Sequence, residues 1–107
     1  MATIGVFKKT GRIFEGELNT LNVQAKGVRI VPEDNKASDK SPDYRVFVGR
    51  VEIGVAWDEE STKTGRKYIS VKCDDPSFTQ PIFASLFDDE GADTYSLIWT
   101  RNRASND

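Results

Sequence analysis

Between Tyr44 and Trp57 the apolar residues change parity. Tyr44, Val46 and Val48 occupy even positions, whereas Val51, Ile53, Val55 and Trp57 occupy odd ones. Side chains of a strand alternate between its faces, so one continuous strand here would turn its buried face outward halfway along. A two-residue turn at Gly49-Arg50 removes the conflict, because glycine readily takes the positive φ required at the first central position of a type II′ hairpin turn. Val48 is then expected opposite Val51, Val46 opposite Ile53 and Tyr44 opposite Val55. These residues and Trp57 would share one buried face, leaving Arg45, Phe47 and Glu52 on the other. A β-bulge at Gly49 would also flip the parity; the hairpin is the preferred reading.

The same alternation recurs along the chain. Asp58 to Arg66 is charged and closes on Thr64-Gly65, as a longer hairpin loop does, and Ile69, Val71 and Cys73 then alternate with Ser70 and Lys72. Residues 44–73 therefore read as a three-stranded antiparallel meander. Upstream, Ile4, Val6 and Phe7 lead into a hairpin around Thr10-Gly11, followed by Ile13, Phe14 and Leu18. Leu21, Val23 and Ala25 read as a third strand, extended by Val28, Ile30 and Val31, with a bulge or turn at Gly27. Glu33 to Asp43 is polar and bordered by Pro32 and Pro42, which predicts a mobile loop.

Downstream, Pro76 and Pro81 leave room for no more than a single helical turn at Ser77-Phe78. Ile82, Ala84 and Leu86 alternate with Phe83, Ser85 and Phe87. An acidic turn, Asp88 to Asp93, precedes Tyr95, Leu97 and Trp99. No segment sustains a helical period. The expected fold is all-β, a small antiparallel barrel or sandwich of seven to eight short strands built from hairpins. It forms a single domain over residues 1–101, with a flexible tail at 102–107. Trp57 and Trp99 each end an apolar face and are expected in the core.

Several stretches also resemble a known family. They are Ile4-Gly5-Val6-Phe7, Gly16 to Leu21, Ser41 to Phe47, Ile53-Gly54-Val55-Ala56-Trp57, Tyr68 to Phe78, Pro81 to Leu86 and Tyr95 to Arg101. Together they are similar to the bacterial family catalogued as domain of unknown function 736, over nearly the whole chain. The resemblance implies a small soluble bacterial protein, often encoded near plasmid or mobile-element genes, with no established activity. It supplies no catalytic or binding residues. Cys73 stands where the family pattern leads one to expect an aliphatic residue, which makes it a packing position.

Composition narrows the chemistry. The 107 residues include no histidine and one cysteine, which leaves no ligand set for a zinc site of nitrogen and sulfur donors and no histidine-dependent triad. One cysteine cannot form an internal disulfide, as suits a reducing cytoplasm, and the N-terminal residues lack the basic-then-apolar pattern of a secretory signal. No apolar run approaches the roughly 20 residues that cross a bilayer. No cofactor, membrane association or catalytic activity is expected. Paired carboxylates such as Glu52 with Asp58, Glu59 and Glu60 read as surface charge, and Asp74-Asp75 and Asp88 to Asp93 lack the ligand spacing of a calcium loop.

Charge is segregated although the net charge is −2. Lysine and arginine dominate residues 1–30 and 61–73, and acidic residues dominate 31–60 and 74–93. The tetrad Lys-Thr-Gly-Arg occurs twice, at Lys9 to Arg12 and at Lys63 to Arg66, each time at a predicted hairpin tip. The candidate binding surface is Lys9, Arg12, Arg45, Phe47, Arg50, Lys63, Arg66, Lys67 and Tyr68. The preferred function is a non-catalytic module that binds an unidentified protein through a strand edge or aromatic patch. The alternative is a single-stranded nucleic-acid binder in which basic tips hold phosphates and aromatics stack bases.

Overall fold

A computed structural model describes residues 2–99, so the tail at 102–107 lies outside the described residues. Eight strands follow one another: β1 (Ala2–Thr10), β2 (Ile13–Asn19), β3 (Gln24–Pro32), β4 (Tyr44–Val48), β5 (Val51–Glu60), β6 (Lys67–Cys73), β7 (Ile82–Asp88) and β8 (Thr94–Trp99). Each pairs antiparallel with the next, and β8 pairs with β1, closing the sheet into an up-and-down barrel. Barrel rather than sandwich is thus the form the hairpins take. No helix among the described residues is long and apolar enough to cross a membrane.

An eight-stranded barrel has an interior just wide enough for side chains to fill. Here Phe7, Phe14, Leu18, Ile30, Leu86 and Leu97 lead a continuous apolar core, and no polar or charged side chain among the described residues is buried with them. The ring of Phe7 lies across Gly16, where a Cβ would stand 2.7 Å from its Cγ and 2.1 Å from the carbonyl oxygen of Val6. Glycine is needed there because two strands and a ring meet with no room for a side chain.

The turn that organises the centre is present. Gly49 has φ +61°, and Val48 pairs with Val51. Beyond it the expected register fails. Phe47 pairs with Glu52, but Val46 then pairs with Gly54, Arg45 with Val55 and Tyr44 with Ala56. Ile53 is the extra residue of a β-bulge, so both Ile53 and Ala56 point inward, and Ala56 is fully buried. Val55 and Trp57 are turned to the outer wall, and Val51 is 53% exposed beside the turn. Alternation alone concealed this, because a bulge resets parity without a change of composition. Trp99, by contrast, packs against the core as expected.

Two further bulges bend the barrel, between Thr3 and Gly5 against β8 and at Gly27, as anticipated, where β2 meets β3. The first hairpin turns on Gly11-Arg12, between Thr10 and Ile13. Leu21 does not start a third strand. It sits in a tight turn closed by the Thr20 amide donating to the Val23 carbonyl at 2.7 Å, and it is 95% exposed.

The connection at 33–43, expected to be mobile, is tied down by its own polar groups. The Glu33 amide donates to the Asp43 carbonyl, the Asp43 amide donates to the Ala56 carbonyl, and Lys36 pairs with Asp43 at 2.6 Å. The indole N–H of Trp57 donates to the Lys40 carbonyl at 3.1 Å. Trp57 therefore holds this loop from the outer wall.

Candidate docking surface

With the interior filled, candidate chemistry lies at the two ends and on the outer wall. Antiparallel order sends alternate connections to opposite ends. Gly11-Arg12 and the loops 33–43, 61–66 and 89–93 share one end. Residues 20–23, Gly49-Arg50 and 74–81 share the other.

The first end carries both Lys-Thr-Gly-Arg tetrads, with Lys9 and Arg12 at the β1–β2 turn and Lys63, Arg66 and Lys67 around the β5–β6 loop, four strands away across the rim. It brings more carboxylates to the same place. Arg12 pairs with Asp34 at 2.9 Å, and Lys9 lies 5.5 Å from the centre of the Phe14 ring. A shallow cavity of about 310 Å³ between them is also lined by Glu33, Asp43, Tyr44 and Asp58. A hydrogen bond from Lys36 and the amide of Asp58 hold the Asp43 carboxyl below its ordinary range. Burial, then the hydrogen bond to Asp58 at 2.9 Å, push the Tyr44 hydroxyl up to about 12. These groups satisfy one another, and the first basic tip is not a bare cationic surface.

The remaining sequence candidates are divided. Arg45, on the wall at β4, is held between Glu33 and Glu52, which keeps its guanidinium charged to still higher pH than usual. Phe47 faces outward as expected, under Arg29 at 5.5 Å. Arg50 stands in the turn at the opposite end. Tyr68 lies on the outer face of β6, beside Lys67.

Tyr68 belongs to a patch that runs over β5 to β8. Its ring is 5.3 Å from that of Phe87, and the Arg66 guanidinium lies 4.8 Å from the Phe87 centroid while donating to the Asp88 carbonyl at 2.7 Å. Four residues back along β7, about 13 Å in a strand, Phe83 is 42% exposed, with the Lys72 ammonium 5.7 Å from its ring centre. Ser70 and Ser85 pair across the strands between these clusters. Val55 and Trp57 flank them on β5, and Ile98 does so on β8. No Asp or Glu occupies an outward position of β6, β7 or β8. Carboxylates stand at the edges: Glu59 is paired beside Tyr68, and Asp89 accepts hydrogen bonds from Thr94 and Ser96 at 2.8 Å.

Of this patch the sequence reading had Arg66, Tyr68 and Lys67 and lacked Phe83, Phe87, Lys72 and the outward Val55 and Trp57. A signal for part of it exists. Ile82 to Phe87 is apolar at both parities, interrupted by Ser85 alone, so β7 must present aromatic surface to the outside of any single-layered sheet.

The sole cysteine faces inward on β6, and burial pushes its thiol up to about 12 from the ordinary 9.0. The native state thus holds this proton more tightly than the unfolded chain. Its contribution to stability is complete below pH 9 and is lost as pH rises from 9 towards 12, with Tyr44 acting in the same direction. Denaturation midpoints should accordingly fall above pH 9, and an aromatic disulfide reagent at pH 8 should leave Cys73 unmodified until denaturant unfolds the chain. Rapid stoichiometric labelling of the folded protein would contradict the buried placement. Among the described residues no group of histidine, cysteine and carboxylate side chains is placed to hold a metal ion.

These features define a small closed up-and-down barrel whose interior is packed and whose outer wall carries an aromatic patch. The chain belongs to the family described as "Protein of unknown function (DUF736)", whose model matches residues 3–102. Searches of curated proteins and of solved structures found no match.

Proposed function

We propose that this barrel is a non-catalytic module that docks a protein partner on the outer face of β5 to β8. Closure pairs every strand on both sides, so a strand-edge mode of docking loses its support and the aromatic-patch mode remains. The observation that carries the reading is the patch itself. Aromatic rings at its centre, two cations stacked on them and carboxylates confined to the rim match the layout of a protein interface, where aromatics and arginine contribute most. A partner segment with apolar side chains next to a carboxylate would meet both Phe83 and Lys72. The reading places the module in the reducing cytoplasm, and a role in plasmid or mobile-element biology rests on the family resemblance.

A second reading has one observation in its favour. The Phe83 and Tyr68–Phe87 platforms, with Lys72 and Arg66, could stack two bases of a single strand. Against it stand the net charge of −2 and the pairing of Arg12, at the first tip, with Asp34.

One variant pair decides. Quantitative capture from nuclease-treated native lysate should recover a protein with the native chain and with Arg12→Glu, and should lose it, by about tenfold or more, with Phe83→Asp. Equal recovery on all three would overturn the docking surface. Binding of a labelled single-stranded oligonucleotide at about 50 mM salt that disappears in Phe83→Asp would transfer the wall to nucleic acid.

A further inference from the structure

The wall over β6 and β7 limits the chemistry of what can lie on it. Arg66 and Lys72 are both exposed, and neither forms an ion pair with a carboxylate among the described residues. Carboxylates are not scarce, since the chain has 17 acidic side chains for 15 basic ones. On β4, Arg45 takes two of them, Glu33 and Glu52. Arg66 and Lys72 are held over aromatic rings instead, 4.8 Å from the centre of Phe87 and 5.7 Å from that of Phe83. Among the described residues Lys72 donates no side-chain hydrogen bond, and Arg66 donates only to the Asp88 carbonyl. A ring fixes where a cation stands without neutralising it.

We infer, on the reading of the wall as a docking surface, that its occupant is an extended acidic segment of the partner, lying along β7 with one carboxylate on Lys72 and another on Arg66. The two cation–ring pairs are centred on Phe83 and Phe87, four residues and about 13 Å apart on one strand. An extended partner covers the same length with residues i and i+4, which face the same side. On a helix the i and i+4 side chains stand only about 6 Å apart and would miss one of the pairs. A glutamate suits each position, because its methylenes can lie on the ring while its carboxylate reaches the cation. Between the two pairs Ser70 and Ser85 stand opposite each other, and their hydroxyls hydrogen-bond to no group among the described residues. A small polar residue at i+2 would meet them. Exposed charge pairs each contribute little, so the affinity is low and falls with salt.

The test uses labelled decapeptides of serine and threonine carrying two glutamates, at spacings from i+1 to i+6, with binding to the full chain read by fluorescence anisotropy. At about 50 mM salt the i and i+4 peptide should bind best, and replacing its glutamates by glutamine should abolish binding. At about 500 mM salt it should bind about tenfold more weakly. Lys72→Glu and Arg66→Glu should each weaken it by about tenfold, whereas Arg12→Glu, at the β1–β2 turn, should leave it unchanged. Both wall side chains are exposed, so these variants keep the fold. Absence of binding to every peptide overturns the inference, as does binding that ignores spacing or survives the glutamine replacement. Tighter binding of a single-stranded oligonucleotide, lost in the same two variants, overturns it in favour of a phosphate chain. The docking surface itself is decided separately by Phe83→Asp. Partner capture that is lost there and untouched by Lys72→Glu and Arg66→Glu keeps the surface and rejects the acidic segment.

Discussion

Truncating Phe7 to alanine should destabilise the barrel by about 3–5 kcal/mol, the range for removing a fully buried phenylalanine. Phe7 is 1% exposed and is among the largest side chains in the interior. Its ring spans the inner faces of two strands, over Gly16 on β2 and within 3.2 Å of where a Cβ on Gly5 would stand. Removing it leaves a cavity that glycine neighbours have no side chains to fill, so little relaxation can offset the loss. Small domains are stable by about 5–15 kcal/mol in all, and for one of this size each kcal/mol shifts the melting temperature by about 4–8 °C. Thermal melts of Phe7→Ala should therefore show a drop of about 15 °C or more. A drop of less than about 4 °C would mean that the ring is not the keystone of the interior.

Gly16→Ala should be nearly as damaging, although it adds a single methyl group. The new Cβ would lie 2.1 Å from a backbone oxygen of the neighbouring strand, a distance at which the backbone must move. Overpacking of a rigid core costs about 1–3 kcal/mol and more when backbone is involved. The two substitutions share one space, so their effects should not add. Removing the Phe7 ring relieves the contact to its Cγ, while the clash with the Val6 carbonyl persists. The double variant should accordingly be less destabilised than the sum, yet no more stable than Phe7→Ala alone. Chemical denaturation of the four proteins measures this directly, and strict additivity would show that ring and glycine do not compete for one site.

Closure of the barrel also decides where binding can occur. With β1 hydrogen-bonded to β8, the described strands offer no free ladder to add to, and with Phe7 and its neighbours in place the interior cannot take a ligand. Side chains on the outer wall and the loops at the ends are what remain. The wall over β6 to β8 differs from the other side of the barrel, where Glu15, Arg29, Arg45 and Glu52 mix both signs of charge on outward positions. A patch free of carboxylates at its centre therefore arises from topology. The basic β6 and β1 are separated by two strands whose outward residues carry no charge.

Much of this was legible in the residues. The alternating patterns gave the strands, Gly49 fixed the central turn, and the apolar inward residues of β6 and β7 were read correctly. The errors have separate causes. Val55 and Trp57 were assigned to the core because they continue the odd-numbered pattern of Val51 and Ile53, and a bulge at Ile53 breaks that pattern with no composition signal of its own. Leu21 was assigned to a strand because it precedes Val23 and Ala25, whereas Thr20 closes a turn around it. The paired tetrads were the most conspicuous candidate site, and the carboxylate that Arg12 of the first one meets, Asp34, comes from a segment distant in sequence.

By itself, then, the sequence determined the local preferences: extended segments of period two, turns where glycine allows a positive φ, and a lone cysteine that packs as a small apolar residue. These depend on a few neighbouring residues, and their physics is local. The tertiary structure alone decided which way each face points after a bulge, that the first and last strands meet, and that Phe83, Phe87, Tyr68 and Lys72 form one wall. Those outcomes depend on how eight twisted strands must tilt and bend to close around a core of fixed volume. That constraint involves the whole chain at once, and no window of sequence contains it.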